Sequence, residues 1–156
     1  MKQLDRDINH LEDLIQKKDL SKANRLADSL LEVDTYDVRV LNLSARVKLL
    51  LGELKEAKWL AEMACVKDNC IIEAQYMLGF CHQRLGEFRE AADAYFDIIK
   101  KAPSSAFAHF KLGESLNMSG KKEESIRAYR RAVELDRDGD IAALAEAEVL
   151  RLKEEN

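Results

Sequence analysis

Three cysteines and three histidines are the residues of this sequence best suited to metal or nucleophilic chemistry. Cys81 and His82 are adjacent. Neighbours on a helix point about 100° apart, so the two make a poor metal pair. A zinc site takes about four ligands, and adding Cys70 leaves the set short. Cys65 and Cys81 read as core. Cys70 sits at a loop or helix start, where a reactive thiol is the sharper reading. His10, His82 and His109 are widely spaced, and none has a nucleophile and an acid at a recognisable interval. Phosphate-binding glycine loops, dinucleotide fingerprints and nucleophile elbows do not occur. The residues predict no catalytic set, no cofactor and no metal ligands, which leaves binding as the chemistry to look for.

The chain's 156 residues suffice for one domain with a real core. Charged residues make up 35% and proline occurs once, so helix formers dominate. A net charge of −4 with interspersed signs gives no reason to expect nucleic acid or an anionic membrane as partner. No apolar run is long enough to span a bilayer, so membrane insertion is not expected. The N-terminus lacks a signal-peptide core. An odd cysteine count without CxxC spacing fits reduced thiols and a cytoplasmic location.

Spacing supplies the organisation. Gly52, Gly86 and Gly120 lie at steps of 34, and Gly79 and Gly113 repeat that interval. A helical run follows each of the first three: GELKEAKWLAEMA, GEFREAADAYFDI and GKKEESIRAYRRA. Between Ile72 and Leu85 the apolar residues Ala74, Met77, Leu78 and Cys81 keep helical spacing. Between Phe88 and Ile99 the residues Ala91, Ala92, Tyr95 and Ile98 do the same, and Pro103 ends the run. Such a hairpin cannot bury its apolar face alone, so an array is predicted.

Leu78-Gly79, Ala91-x3-Tyr95 and Pro103 resemble the tetratricopeptide repeat pattern. The following copy carries Leu112-Gly113, Ser125-x3-Tyr129 and Ala132. The preceding one is more divergent, with Ala45 and Ala57-x3-Ala61. A degenerate first copy keeps Leu11, Leu14, Ala23-x3-Ala27 and Leu30, with Leu11 and Lys18 where glycines are expected. The resemblance implies an all-α fold: a right-handed α-solenoid of about four helical hairpins plus a C-terminal capping helix. We divide residues 1–156 as one domain, with repeats at about 4–37, 38–71, 72–105 and 106–139 and a cap at 140–156. Asp140 is the expected cap of the last helix. Ile141, Leu144, Ala145, Leu152 and Val149 form its expected apolar stripe. The alternative role for that helix is partner binding or dimerisation.

Stacked hairpins of this family curve, and their first helices line the concave side. With Leu78, Gly79 and Cys81 facing neighbours, Glu73, Tyr76, Phe80 and Gln83 share the remaining stripe. The stripe recurs as Phe107, Phe110, Glu114 and Asn117, as Arg39, Asn42, Arg46 and Leu49, and as Asp5, Ile8, Glu12 and Ile15. Tyr76, Phe80, Phe107 and Phe110 are the expected aromatic anchors of a groove, unless they tilt into the core or lie under the last helix. Arg39, Asn42, Arg46, Gln83 and Arg84 are the expected polar positioners. One subclass of the family clamps acidic chaperone tails with a Lys/Asn pair, an Asn and a Lys/Arg pair. The corresponding residues here, Asn42 and Arg46, Met77, then Phe107 and Lys111, match only in fragments, so that clamp is rejected. Trp59 falls on a lateral or convex surface, either lying flat or marking a second contact.

The expected function is a non-enzymatic interaction module that holds a peptide or amphipathic helix in its concave groove, as scaffold or adaptor. A self-assembling scaffold, with homo-oligomers, and the regulatory part of a larger enzyme are the alternatives.

Overall fold

A computed structural model describes residues 3–33, 37–68 and 72–154. Cys70 lies outside the described residues. Among them the chain forms nine helices: α1 (Gln3–Gln16), α2 (Leu20–Val33), α3 (Val38–Leu51), α4 (Leu54–Lys67), α5 (Ile72–Leu85), α6 (Phe88–Lys101), α7 (Ala106–Met118), α8 (Lys122–Leu135) and α9 (Asp140–Glu154). They fall into two compact units, Met1–Cys81 and His82–Asn156, whose boundary lies within α5.

The turns explain the 34-residue spacing. Gly52, Gly86 and Gly120 all have φ near +80°, a backbone that costs glycine little. Each ends a first helix with the same two bonds. The Gly52 N–H donates to Leu49 O at 3.1 Å and the Glu53 N–H to Lys48 O at 2.9 Å. Gly86 and Glu87 repeat these bonds to Gln83 and His82, and Gly120 and Lys121 to Asn117 and Leu116. The pairing satisfies carbonyls that a helix end otherwise leaves open. Lys18 does the same without glycine: its φ is +58°, and the Lys18 and Asp19 N–H groups donate to Ile15 O and Leu14 O. The degenerate first copy therefore folds as a full hairpin.

In the Met1–Cys81 unit, α1, α2 and α3 enclose a core of Ile8, Leu11, Leu14, Ala27, Leu30 and Val47. A second core joins Leu41 and Ala45 of α3 to Leu60, Ala61 and Ala64 of α4, with Ala74 of α5. Cys81 is fully buried, which pushes its thiol up to about 11. Lys48 is nearly buried too, and its Nζ meets Asp28 and Glu53 at 3.2 Å and Glu56 at 3.5 Å. Burial disfavours its charge, but the hydrogen bonds to Glu53 and Asp28 outweigh that and hold its pKa above the ordinary lysine value.

In the His82–Asn156 unit, α7 and α8 pair closely. A Cβ placed on Gly113 would lie 2.7 Å from the Tyr129 ring, so glycine there is a packing requirement. Ser125 Oγ donates to Gly113 O at 2.7 Å and ties the two helices together. Tyr129 is buried with Phe110, Ala132, Ala145, Val149 and Leu152, a core that α7, α8 and α9 share. The last helix thus covers its neighbours with Ala142, Ala145, Val149 and Leu152. Leu144, expected on that inner stripe, is instead 56% exposed, because the stripe follows 142–145–149–152 and leaves residue 144 outside it. Asp140 does not cap α9. Asp136 Oδ2 accepts from the N–H groups of Ile141 and Ala142 at 3.1 and 3.3 Å. Asp140 is already the first helical residue.

Candidate functional site

The stripe expected to face the groove divides by register. Positions 8, 42, 76 and 110 turn inward: Ile8 and Phe110 are buried, and Asn42 and Tyr76 are half-buried. Positions 5, 39, 73 and 107 turn outward or halfway: Arg39, Glu73 and Phe107 are exposed and Asp5 is half-buried. Helix geometry accounts for the split, since residues three apart sit 60° from one another around the axis.

Phe110 is therefore not a free aromatic anchor. It is 8% exposed, and its ring centroid lies 5.5 Å from that of Tyr129. The last helix covers it, because Ala145, Val149 and Leu152 complete the same core. Phe107, three residues earlier, stays on the surface at 37% exposure. Lys111 Nζ stands 5.7 Å from the Phe107 ring centroid and 5.8 Å from that of Phe110. It also bonds Glu114 Oε2 at 2.6 Å.

Around this stripe the His82–Asn156 unit has a cleft of about 410 Å³. Gln83 of α5, Glu114 and Asn117 of α7, and Glu148 and Arg151 of α9 are among its walls. The Tyr129 ring lies in the floor, and burial raises the pKa of its hydroxyl well above the usual value. Gln83 is largely committed: its Nε2 donates to Ser115 Oγ at 3.0 Å, and its Oε1 accepts from the Tyr95 hydroxyl at 3.1 Å. It braces the cleft more than it offers a free amide. Arg151 grips Glu148 Oε2 through Nε and Nη2 at 3.1 and 2.8 Å. Asn117, in contrast, has no side-chain partner among the described residues. Sequence reasoning placed Gln83, Glu114 and Asn117 on this stripe but missed Glu148 and Arg151. Their signal was weak, since α9 reads as a cap whose charged residues simply face water.

In the Met1–Cys81 unit, Arg39 does not stand free. It pairs with Asp5 at 3.0 Å and Asp37 at 2.7 Å. Asp5 is the residue 34 positions earlier, so equivalent positions of consecutive hairpins bond one another. The Arg39 side chain, by hydrogen bonding, is the main reason that Asp37 titrates below the usual carboxylate range. Asn42 Oδ1 is buried without a partner among the described residues. Arg46 is exposed and unpaired there, while Phe80 is half-buried. Arg84, in the other unit, is also exposed and unpaired. Trp59 is 55% exposed on α4, at the register of Asp93 and Arg127.

Among the described residues no group of three or more His, Cys, Asp and Glu side chains gathers as a metal site. No described helix is long and apolar enough to cross a membrane.

Turns, close approaches and interior tyrosines at a 34-residue repeat define an all-α protein of paired helices. Residues 76–140 match the tetratricopeptide repeat family. Solved structures carry the likeness over the whole chain. The MamA fragment from residue 41 onward of Desulfovibrio magneticus RS-1 matches with a TM-score of 0.81 at 17% identity, over 100% of this chain and 98% of its own. A crystal structure of MamA protein matches at 0.78 and 24% identity, over 97% of this chain and 85% of its own. PilF of Pseudomonas aeruginosa matches at 0.84 and 18% identity, over 97% and 69%. At these identities the likeness is one of fold. No curated protein matches the sequence.

Proposed function

We propose that the chain is a non-enzymatic protein-interaction module that takes a peptide or amphipathic helix against the outward stripe of its first helices, acting as scaffold or adaptor. One observation carries this reading. The cleft beside α7 holds an unsatisfied amide, Asn117, between two charge pairs, and an exposed aromatic ring, Phe107, stands ten residues earlier on the same helix. An aromatic anchor about 15 Å along the helix from an amide suits a partner that offers one apolar side chain and, further along, a backbone N–H or C=O. In the other unit, Arg46 and Phe80 hold equivalent positions of consecutive first helices, with Arg39, Asn42 and Tyr76 on the same stripe. Arg84 adds a free cation for an acidic side chain.

The test is capture of partners by the wild type and by a Phe107→Ala/Asn117→Ala variant, with far-ultraviolet circular dichroism on both. Neither side chain belongs to a buried core. Helicity is expected to stay and capture to fall by about tenfold or more. Equal capture by both proteins contradicts the reading.

A further inference from the structure

The other face of α7 carries a larger depression, of about 810 Å³, within the same unit. His109, Leu112 and Leu116 face it, whereas Lys111, Glu114 and Asn117 line the smaller cleft on the opposite side of the helix. Its base is apolar: Ala92 of α6, Leu116 of α7 and Ala128 of α8 are buried together, with Leu112 packed against them. Phe96, 51% exposed, stands on the α6 wall. The rim is basic, with Arg89, Lys121, Arg127 and Arg131 against Asp93 and Glu124. With Glu134, which bonds Arg131, four positive and three negative residues make +1, in a chain whose net charge is −4. Lys121 and Arg131 have partners in Glu124 and Glu134, at 3.9 and 2.6 Å. Arg89 and Arg127 have none among the described residues.

We infer that this cleft is a second docking site, and that its occupant is an acidic amphipathic helix of a partner protein. The apolar base calls for aliphatic side chains at three- and four-residue steps. The unpaired guanidiniums call for carboxylates flanking them, and Phe96 adds an apolar contact at the edge. Charge complementarity selects this occupant over a neutral helix, because a local positive excess with two unpaired guanidiniums on a negative molecule attracts acidic ligands and steers their approach. Nucleic acid fits less well. Phosphates have no use for the aliphatic base, and Asp93, Glu124 and the overall negative charge repel them.

The experiment uses the full chain and a fluorescein-labelled helical peptide of about 16 residues, with leucines at three- and four-residue steps and glutamates on both flanks. Fluorescence anisotropy is read against a scrambled peptide of the same composition and against a DNA duplex. The helical peptide is expected to bind more tightly than either control. Arg89→Glu/Arg127→Glu should weaken it by about tenfold or more, and Phe96→Ala by several-fold. Arg127→Lys should retain most of the affinity. Phe107→Ala/Asn117→Ala should leave it unchanged, which separates this site from the cleft on the opposite side of α7. Circular dichroism confirms that each exposed-residue variant stays folded. Equal binding of scrambled and helical peptides overturns the proposal, as does indifference to the charge reversal or tighter binding of DNA.

Discussion

Lys18 adopts the left-handed backbone that glycine adopts at the three later turns. A side chain there costs about 1–2 kcal/mol, while glycine loses about 0.5–1 kcal/mol more backbone entropy on folding. Lys18→Gly should therefore stabilise the protein by roughly 0.5–1 kcal/mol, seen as a higher urea midpoint. Gly113→Ala should act in the opposite sense. Its Cβ meets the Tyr129 ring at 2.7 Å, so a loss of about 1–3 kcal/mol is expected. Asp37 offers a pH test. Its carboxylate titrates low chiefly because the Arg39 side chain bonds it, so this stabilisation is present above the ordinary aspartate range and is lost as pH falls through the lower folded value. Asp37→Asn keeps the cap at the start of α3 but removes the charge. It should cost about 0.5–1 kcal/mol at neutral pH, and urea titrations should show the gap closing in acid. At this scale the sequence exposed the turn glycines and the interior tyrosines. It did not show which stripe residues lie inward. Phe107 and Phe110 are both phenylalanines on one helix face, and only the seating of α9 over Tyr129 decides between them.

Among the elements, α9 does the most for its unit. Its buried Ala145, Val149 and Leu152 close a core that also holds Phe110 and Tyr129. Removing residues 140–156 should uncover those two rings, lower the melting temperature and raise binding of a hydrophobic dye, a change worth several kcal/mol. A truncated chain that melts like the full one would assign α9 to partner binding alone. The hairpins themselves were legible because glycine spacing and apolar periodicity report the same helices. The basic cleft between α6 and α8 was not. Arg89, Arg127 and Arg131 read singly as a solvated face, and their convergence around Leu112 and Leu116 depends on how second helices flank α7. Asp136 escaped for a similar reason, since it caps α9 from four residues before the first helical residue.

For the molecule as a whole, two features bear on use. It divides into two compact units, and the second of them carries different chemistry on the two sides of α7. One side carries an amide between paired charges with an exposed aromatic ring ten residues earlier on the helix, and the other joins aliphatic residues to unpaired arginines. A module built this way suits joining one partner to another, which is the adaptor reading. Its central claim is that the Phe107–Asn117 side captures protein. The most direct measurement is affinity capture from cell extract by the wild type and by Phe107→Ala/Asn117→Ala, quantified by mass spectrometry, with melting curves of both. The account predicts that specific partners are lost from the variant while its melting temperature stays that of the wild type. Retention of the same partners by a folded variant would contradict it.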